Sequence, residues 1–145
     1  MNIINTLNIE SVKNQIKTYK EKQIIVNAQN DDFNRKILEY GKFNVLLLSS
    51  SFLLKKKDKL KHLDSGFNHV LGKIATKNKI SIGFDLNELR SKNKKEKAII
   101  LSKIIQNIKI CRKTKTKIVL FNHKDEKDSF SLMISLGSST QQAKN

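Results

Sequence analysis

The sequence predicts an α/β fold, with mostly parallel strands and amphipathic helices, on three observations. Segments with apolar residues three and four apart mark helices, and short apolar runs of strand length lie between them. The two kinds of segment alternate, which implies a parallel sheet joined by right-handed crossovers. At 145 residues the chain is one domain's worth but short for a complete eight-stranded barrel, and it shows no internal repeat. Residues 1–137 are read as a single α/β domain and 138–145 as a disordered tail.

The elements follow in order. Ile9, Val12, Ile16 and Tyr19 share one face of a helix over about 9–21, and QIIVNA (23–28) reads as a strand. Asn30-Asp31 offers an N-cap for DDFNRKILEY, and Gly41 can adopt the left-handed conformation at its end. NVLLLS (44–49) is the second strand, and the basic SSFLLKKKDKLKH after it reads as a linker between two halves. Asp64 or Ser65 then caps a helix whose stripe is Leu63, Phe67, Val70 or Leu71, and Ile74. ISIGF (80–84) is the third strand. A long helix over about 94–115 presents Ala98, Leu101, Ile104 or Ile105, Ile108 and Cys111 to the core and lysines elsewhere, and KIVLF (117–121) is the fourth strand. In DSFSLMISLG the alternation of Phe130, Leu132, Ile134 and Leu136 favours a strand, while Asp128 and Gly137 would suit a helix's ends.

Composition narrows the partners. The formal net charge of +16, from 29 Lys and Arg against 13 Asp and Glu, favours a polyanion, with nucleic acid the default. Only Arg35, Arg90 and Arg112 are arginine, so these positions are candidates for a planar, bidentate contact that an ammonium cannot replace. A lone cysteine excludes an internal disulfide and any paired-cysteine motif. The N-terminal stretch lacks the pattern of a signal peptide and no window has the length of a membrane span, which predicts a soluble, cytoplasmic protein without a membrane partner.

Catalytic chemistry finds little footing. His62, His69 and His123 form no metal-binding spacing, and Ser65-Gly66 lacks the flanking glycine of a nucleophile elbow. Asp85 and Glu88 follow the third strand, where α/β sheets place ligand groups, although loop geometry explains them equally. Cys111 lies on the apolar stripe and reads as core.

LDSGFNHVLGKIATKNKISIGFDLNEL, followed by a basic helix ending IQNIKICRKTKTKIVL, resembles ribonuclease P protein component 3 of archaeal and eukaryotic ribonuclease P. Asp64-Ser65-Gly66, Asn68-His69, ISIGF and Cys111-Arg112-Lys113 carry the match, with Asn34-Arg35 before KFNVLLL upstream. The resemblance implies an incomplete (β/α) barrel related to the TIM-barrel and PHP-like folds, in a version that lacks the family's usual N-terminal strand and helices and has its C-terminal helices cut short. It also implies a non-catalytic subunit of an endoribonuclease ribonucleoprotein, whose RNA removes the 5′ leader in tRNA processing. The implied partners are ribonuclease P RNA, a small α/β protein subunit and, indirectly, precursor tRNA. No cofactor or metal is expected on the protein; magnesium serves the catalytic RNA. After the last matched strand this chain has Asn122-His123-Lys124 where the family commonly has a small Ser-Gly-Ala turn.

Candidate RNA contacts are Lys55, Lys56, Lys57, Lys59 and Lys61 in the basic segment and Arg112, Lys113 and Lys115 at the end of the long helix. Arg35, His69, Lys73, Lys77 and Arg90 join them. Asn34, Asp64, Ser65, Gly66, Asn68 and Asp85 are the structural residues of the motif. The first turn of the LDSGFNH helix could take a phosphate on its free amides, or Asn68 and His69 could simply hold the neighbouring strand. Two rival functions stay open: a basic component of another ribonucleoprotein such as the ribosome, and a metal phosphoesterase on a related barrel.

Overall fold

Among the described residues five short strands pair side by side, every one parallel to its neighbour, in the order in which the chain makes them. The computed structural model describes residues 2–19, 23–56 and 64–144, with Asn2 through its backbone only. The elements are β1 (Asn2–Ile4), α1 (Ile9–Thr18), β2 (Ile24–Asn27), α2 (Asp31–Tyr40), β3 (Val45–Leu47), α3 (Ser50–Lys55), α4 (His69–Lys77), β4 (Ser81–Asp85), α5 (Leu86–Arg90), α6 (Lys94–Thr114), β5 (Ile118–Phe121), α7 (Glu126–Ser135) and α8 (Thr140–Lys144).

Sequential parallel order has a geometric consequence. Each right-handed crossover advances the sheet in the same direction, so each deposits its helix on the same face, as in a barrel. The burial pattern agrees: Ile24, Val26, Leu46, Leu48, Ile82, Phe84, Ile118 and Leu120 join the helices in the main core. Ile25, Val45 and Leu47 point the other way into a small second cluster with Phe121. Phe121 lies across Gly83, where an added Cβ would meet its ring at 2.7 Å and Val45 at 2.8 Å. Burying each such aliphatic side chain contributes roughly 1.5–3 kcal/mol.

Several expectations need correction. A fifth strand, β1, pairs with β2 where the sequence suggested none; three residues are too few to show a period. The basic linker contains α3, whose cap is Ser49, accepting from the Phe52 N–H at 3.1 Å, and which buries Phe52 and Leu53. The alternating tail is helix, not strand. Asp125 accepts from the Asp128 N–H at 2.7 Å, Glu126 and Asp128 suit the positive end of the dipole, and the residue buried is Met133, which the alternation left out. Beyond it, the segment expected to fray includes α8. Ser139 and Gln142 form a reciprocal capping box there, at 2.9 and 3.2 Å, and Gln142 Nε2 donates to the Ile108 carbonyl at 3.0 Å.

The long helix is where expected, but its buried face differs. Ala98 is exposed and Leu101 half-buried, while Ile100, Ile104, Ile108 and Cys111 face the core together with the polar Lys103, Asn107 and Thr114. Cys111 is fully buried, and desolvation pushes its thiol up from 9.0 to about 12. Between about pH 9 and 12 the unfolded chain gives up this proton while the folded chain keeps it, so stability should fall as pH rises through that window. Below pH 9 the thiol should resist an aromatic disulfide reagent until denaturant is added; prompt reaction in the native state would contradict this burial.

Candidate nucleic-acid interface

The stretch DSGFNH is a turn and a cap in succession. Asp64 Oδ1 accepts from the Gly66 N–H at 2.8 Å, and Gly66 takes φ +74°. That conformation cannot continue a helix, so neither Asp64 nor Ser65 is the helix cap, contrary to the sequence reading. Asn68 is: its Oδ1 accepts from the Leu71 N–H at 2.9 Å, and α4 starts at His69. Gly66 also passes against Phe52, whose ring a Cβ would meet at 2.4 Å. Gly66→Ala should therefore destabilise the fold by about 1–3 kcal/mol in denaturant titration, from left-handed strain and overpacking together. Wild-type stability in that variant would show the turn to be adaptable.

Unequal helix lengths open a cleft beside this turn. α4 has 9 residues and α6 has 21, and α4 lies along the C-terminal half of α6, with Gly72 against Thr114. The Thr76 hydroxyl reaches the Thr114 carbonyl and the Thr116 hydroxyl, both at 2.9 Å, and locks the pair. Above the first turn of α4 a cleft of about 720 Å³ remains, lined by Arg35 of α2, the Asp64–Asn68 turn, His69, and Lys109 and Lys113 of α6. A second depression, of about 560 Å³, adjoins it between α2 and α4, sharing Arg35 and Val70 and adding Lys73 and Lys77.

The charges in this groove are unequally matched. Asp31 is paired with Lys56, Arg35 Nε lies 3.1 Å from Glu39, and Asp64 serves the turn. Lys73, Lys77, Lys109 and Lys113 form no ion pair among the described residues. The Arg35–Glu39 pair is 62% and 50% exposed, so it contributes under about 1 kcal/mol and can exchange for a phosphate. The first turn of α4, which lines the cleft, carries the positive end of the dipole, and Asn68 caps its Leu71 amide, leaving those of His69 and Val70 without intrahelical partners. This arrangement suits a run of phosphates.

The structure thus gathers Arg35, His69, Lys73, Lys77 and Lys113 from the sequence-based candidates. Lys109, one turn before Lys113, joins them and was missed, although its i, i+4 spacing was the available signal. Arg112 and Lys115 are exposed at the end of α6 without lining the groove. Lys57, Lys59 and Lys61 lie outside the described residues, as do Leu63 and His62. Arg90 is a brace: its Nη1 donates to Asn87 Oδ1 at 2.9 Å and to the Asn122 carbonyl at 3.0 Å. Asn34 is fully buried, and its Oδ1 accepts from the Gln29 N–H at 2.7 Å to fix the loop after β2.

Lys55 and Lys56 line a separate cleft at the C-terminal ends of β1, β2 and β3. The carboxylates near the strand ends serve helix starts. Asp85 caps α5 and accepts from Asn122 Nδ2 at 2.8 Å, and Glu88 Oε2 accepts from the Ser50 N–H at 2.8 Å. Among the described residues no three His, Cys, Asp or Glu converge to hold a metal ion, and no helix is long and apolar enough to cross a membrane.

No family model matches the chain. Ribonuclease P protein component 3 of Methanococcus maripaludis is 24% identical over 119 residues, covering 81% of this chain and 47% of that protein. The protein of the same name from Methanococcus vannielii is 26% identical over 107 residues, covering 72% and 42%. In sequence the chain is similar to ribonuclease P protein component 3. It spans about half the length of these relatives. A chain in a cryo-EM structure of archaeal ribonuclease P with mature tRNA superposes with a TM-score of 0.76 at 21% identity, over 98% of this chain and 61% of that one. That likeness carries the fold alone: an open parallel sheet with helices on one face, matching an incomplete barrel.

Proposed function

We propose that the chain is a non-catalytic, RNA-binding subunit of ribonuclease P that assists the catalytic RNA in removing the 5′ leader of precursor tRNA. One observation supports this reading above the others: Arg35, with Lys109 and Lys113 beside the first turn of α4 and Lys73 and Lys77 farther along it, lines two adjoining depressions, and the four lysines have no carboxylate partner among the described residues. Its direct partners would be ribonuclease P RNA and a small α/β protein subunit, with precursor tRNA approached through them. The protein would neutralise crowded phosphates and so lower the magnesium that the RNA needs. Neither the ribosomal nor the phosphoesterase reading gains support from the comparisons, and Asp85 and Glu88 are engaged with backbone amides rather than set as metal ligands.

Reconstitution tests the proposal. Protein alone should leave precursor tRNA intact, and adding it to the catalytic RNA and the small subunit should raise cleavage most at low magnesium. Leader removal by protein freed of RNA would overturn the assignment, as would a catalytic RNA whose magnesium dependence is unmoved.

A further inference from the structure

The strand-end cleft differs in chemistry from the lysine groove. We propose that it holds one unpaired nucleotide of the bound RNA, an inference that rests on the RNA-binding reading above. The cleft measures about 620 Å³, in the size range of ligand sites, and lies where barrel-like sheets place theirs. Its lining is rich in amides, with Asn5, Asn27 and Gln29 beside Ser51, Glu88 and Lys55.

A primary amide offers donors and an acceptor in one plane, which matches the edge of a base; a phosphate has only acceptors and cannot use the amide oxygens. Gln29 Nε2 donates to Asn5 Oδ1 at 3.1 Å, which leaves Gln29 Oε1 and Asn5 Nδ2 open among the described residues. Asn27 Oδ1 is a buried acceptor with no partner there. Glu88 uses Oε2 on Ser50, so its other oxygen remains for a ribose hydroxyl or an exocyclic amine. Lys55, exposed and without an ion pair among the described residues, is placed for the phosphate that links the nucleotide to its chain. Bases within a duplex have their edges paired and stacked, so the occupant is an unpaired one.

The test compares a short oligouridine carrying 4-thiouridine with a hairpin stem, using the full chain and fluorescence anisotropy, followed by photocrosslink mapping. Ser51→Trp, at an exposed position on the rim, should weaken oligouridine binding roughly tenfold and hairpin binding by less than about twofold. Crosslinks should fall on peptides containing Gln29 or Ser51, and uridine monophosphate should suppress them without displacing the hairpin. If Ser51→Trp does not fold, Lys55→Gln together with the monophosphate competition decides the same question. Crosslinks confined to other surfaces, or equal losses on both RNAs, would overturn the proposal. Hairpin binding that persists without cleft crosslinks refutes this inference alone, whereas loss of all RNA binding by wild-type protein refutes its parent.

Discussion

Replacing Lys103 with methionine should destabilise the protein by about 2–4 kcal/mol, an effect expected of few lysines in a chain this basic. Lys103 is 1% exposed on α6, and its Nζ donates to the Leu53 carbonyl at 2.6 Å and to the Lys56 carbonyl. Those carbonyls end α3, a helix of 6 residues whose C-terminal dipole favours a cation. Methionine keeps the apolar stem but leaves the carbonyls without their donor in a buried seam. Urea titration should show a lower midpoint for Lys103→Met, and none for Lys109→Met at an exposed position on the same helix. Equal midpoints for the two variants would mean that α3 is held by Phe52 and Leu53 alone.

The combined change of Lys73, Lys77, Lys109 and Lys113 to glutamine should act in the opposite manner, leaving stability near wild type and removing RNA affinity. All four side chains are exposed and lack ion pairs among the described residues. If each touches one phosphate, affinity should fall on the order of a hundredfold at low salt, and the double-logarithmic salt slope should flatten by roughly three. A matched change at Lys92, Lys94, Lys95 and Lys97, around the other end of α6, controls for net charge. Equal losses from the two sets would assign binding to overall charge rather than to the groove.

Local signals in the chain carried most of the architecture, and the failures have identifiable causes. α2 was legible at both ends because Asn30 accepts from the Phe33 N–H at 2.8 Å and Gly41 adopts φ +68°, the roles their residue types suggest. α7 was misread because a short apolar run satisfies period two and a helix stripe at once, and only the cap at Asp125 separates them. Lys103 was counted with the solvent-facing lysines because periodicity cannot see that another helix ends against it. The groove was legible in its residues but not in its shape. His69, Lys73 and Lys113 could be nominated from charge and motif, whereas the opening depends on α4 being shorter than its neighbour, a fact about packing that no window along the chain contains.

The sequential order of the sheet bears on how cooperatively the molecule holds together. Among the described residues strand n pairs only with strands n−1 and n+1, so the architecture should behave as a one-dimensional array of βα units coupled to nearest neighbours. Such an array melts inward from its boundaries: β1 has a single neighbour and three residues, whereas β3 is flanked on both sides. The Lys103 seam and the threonine lock act as rivets between helices above that array, on the β3–β5 side. Protection against exchange should then be graded along the sheet, highest on the side that carries Lys73, Lys109 and Lys113.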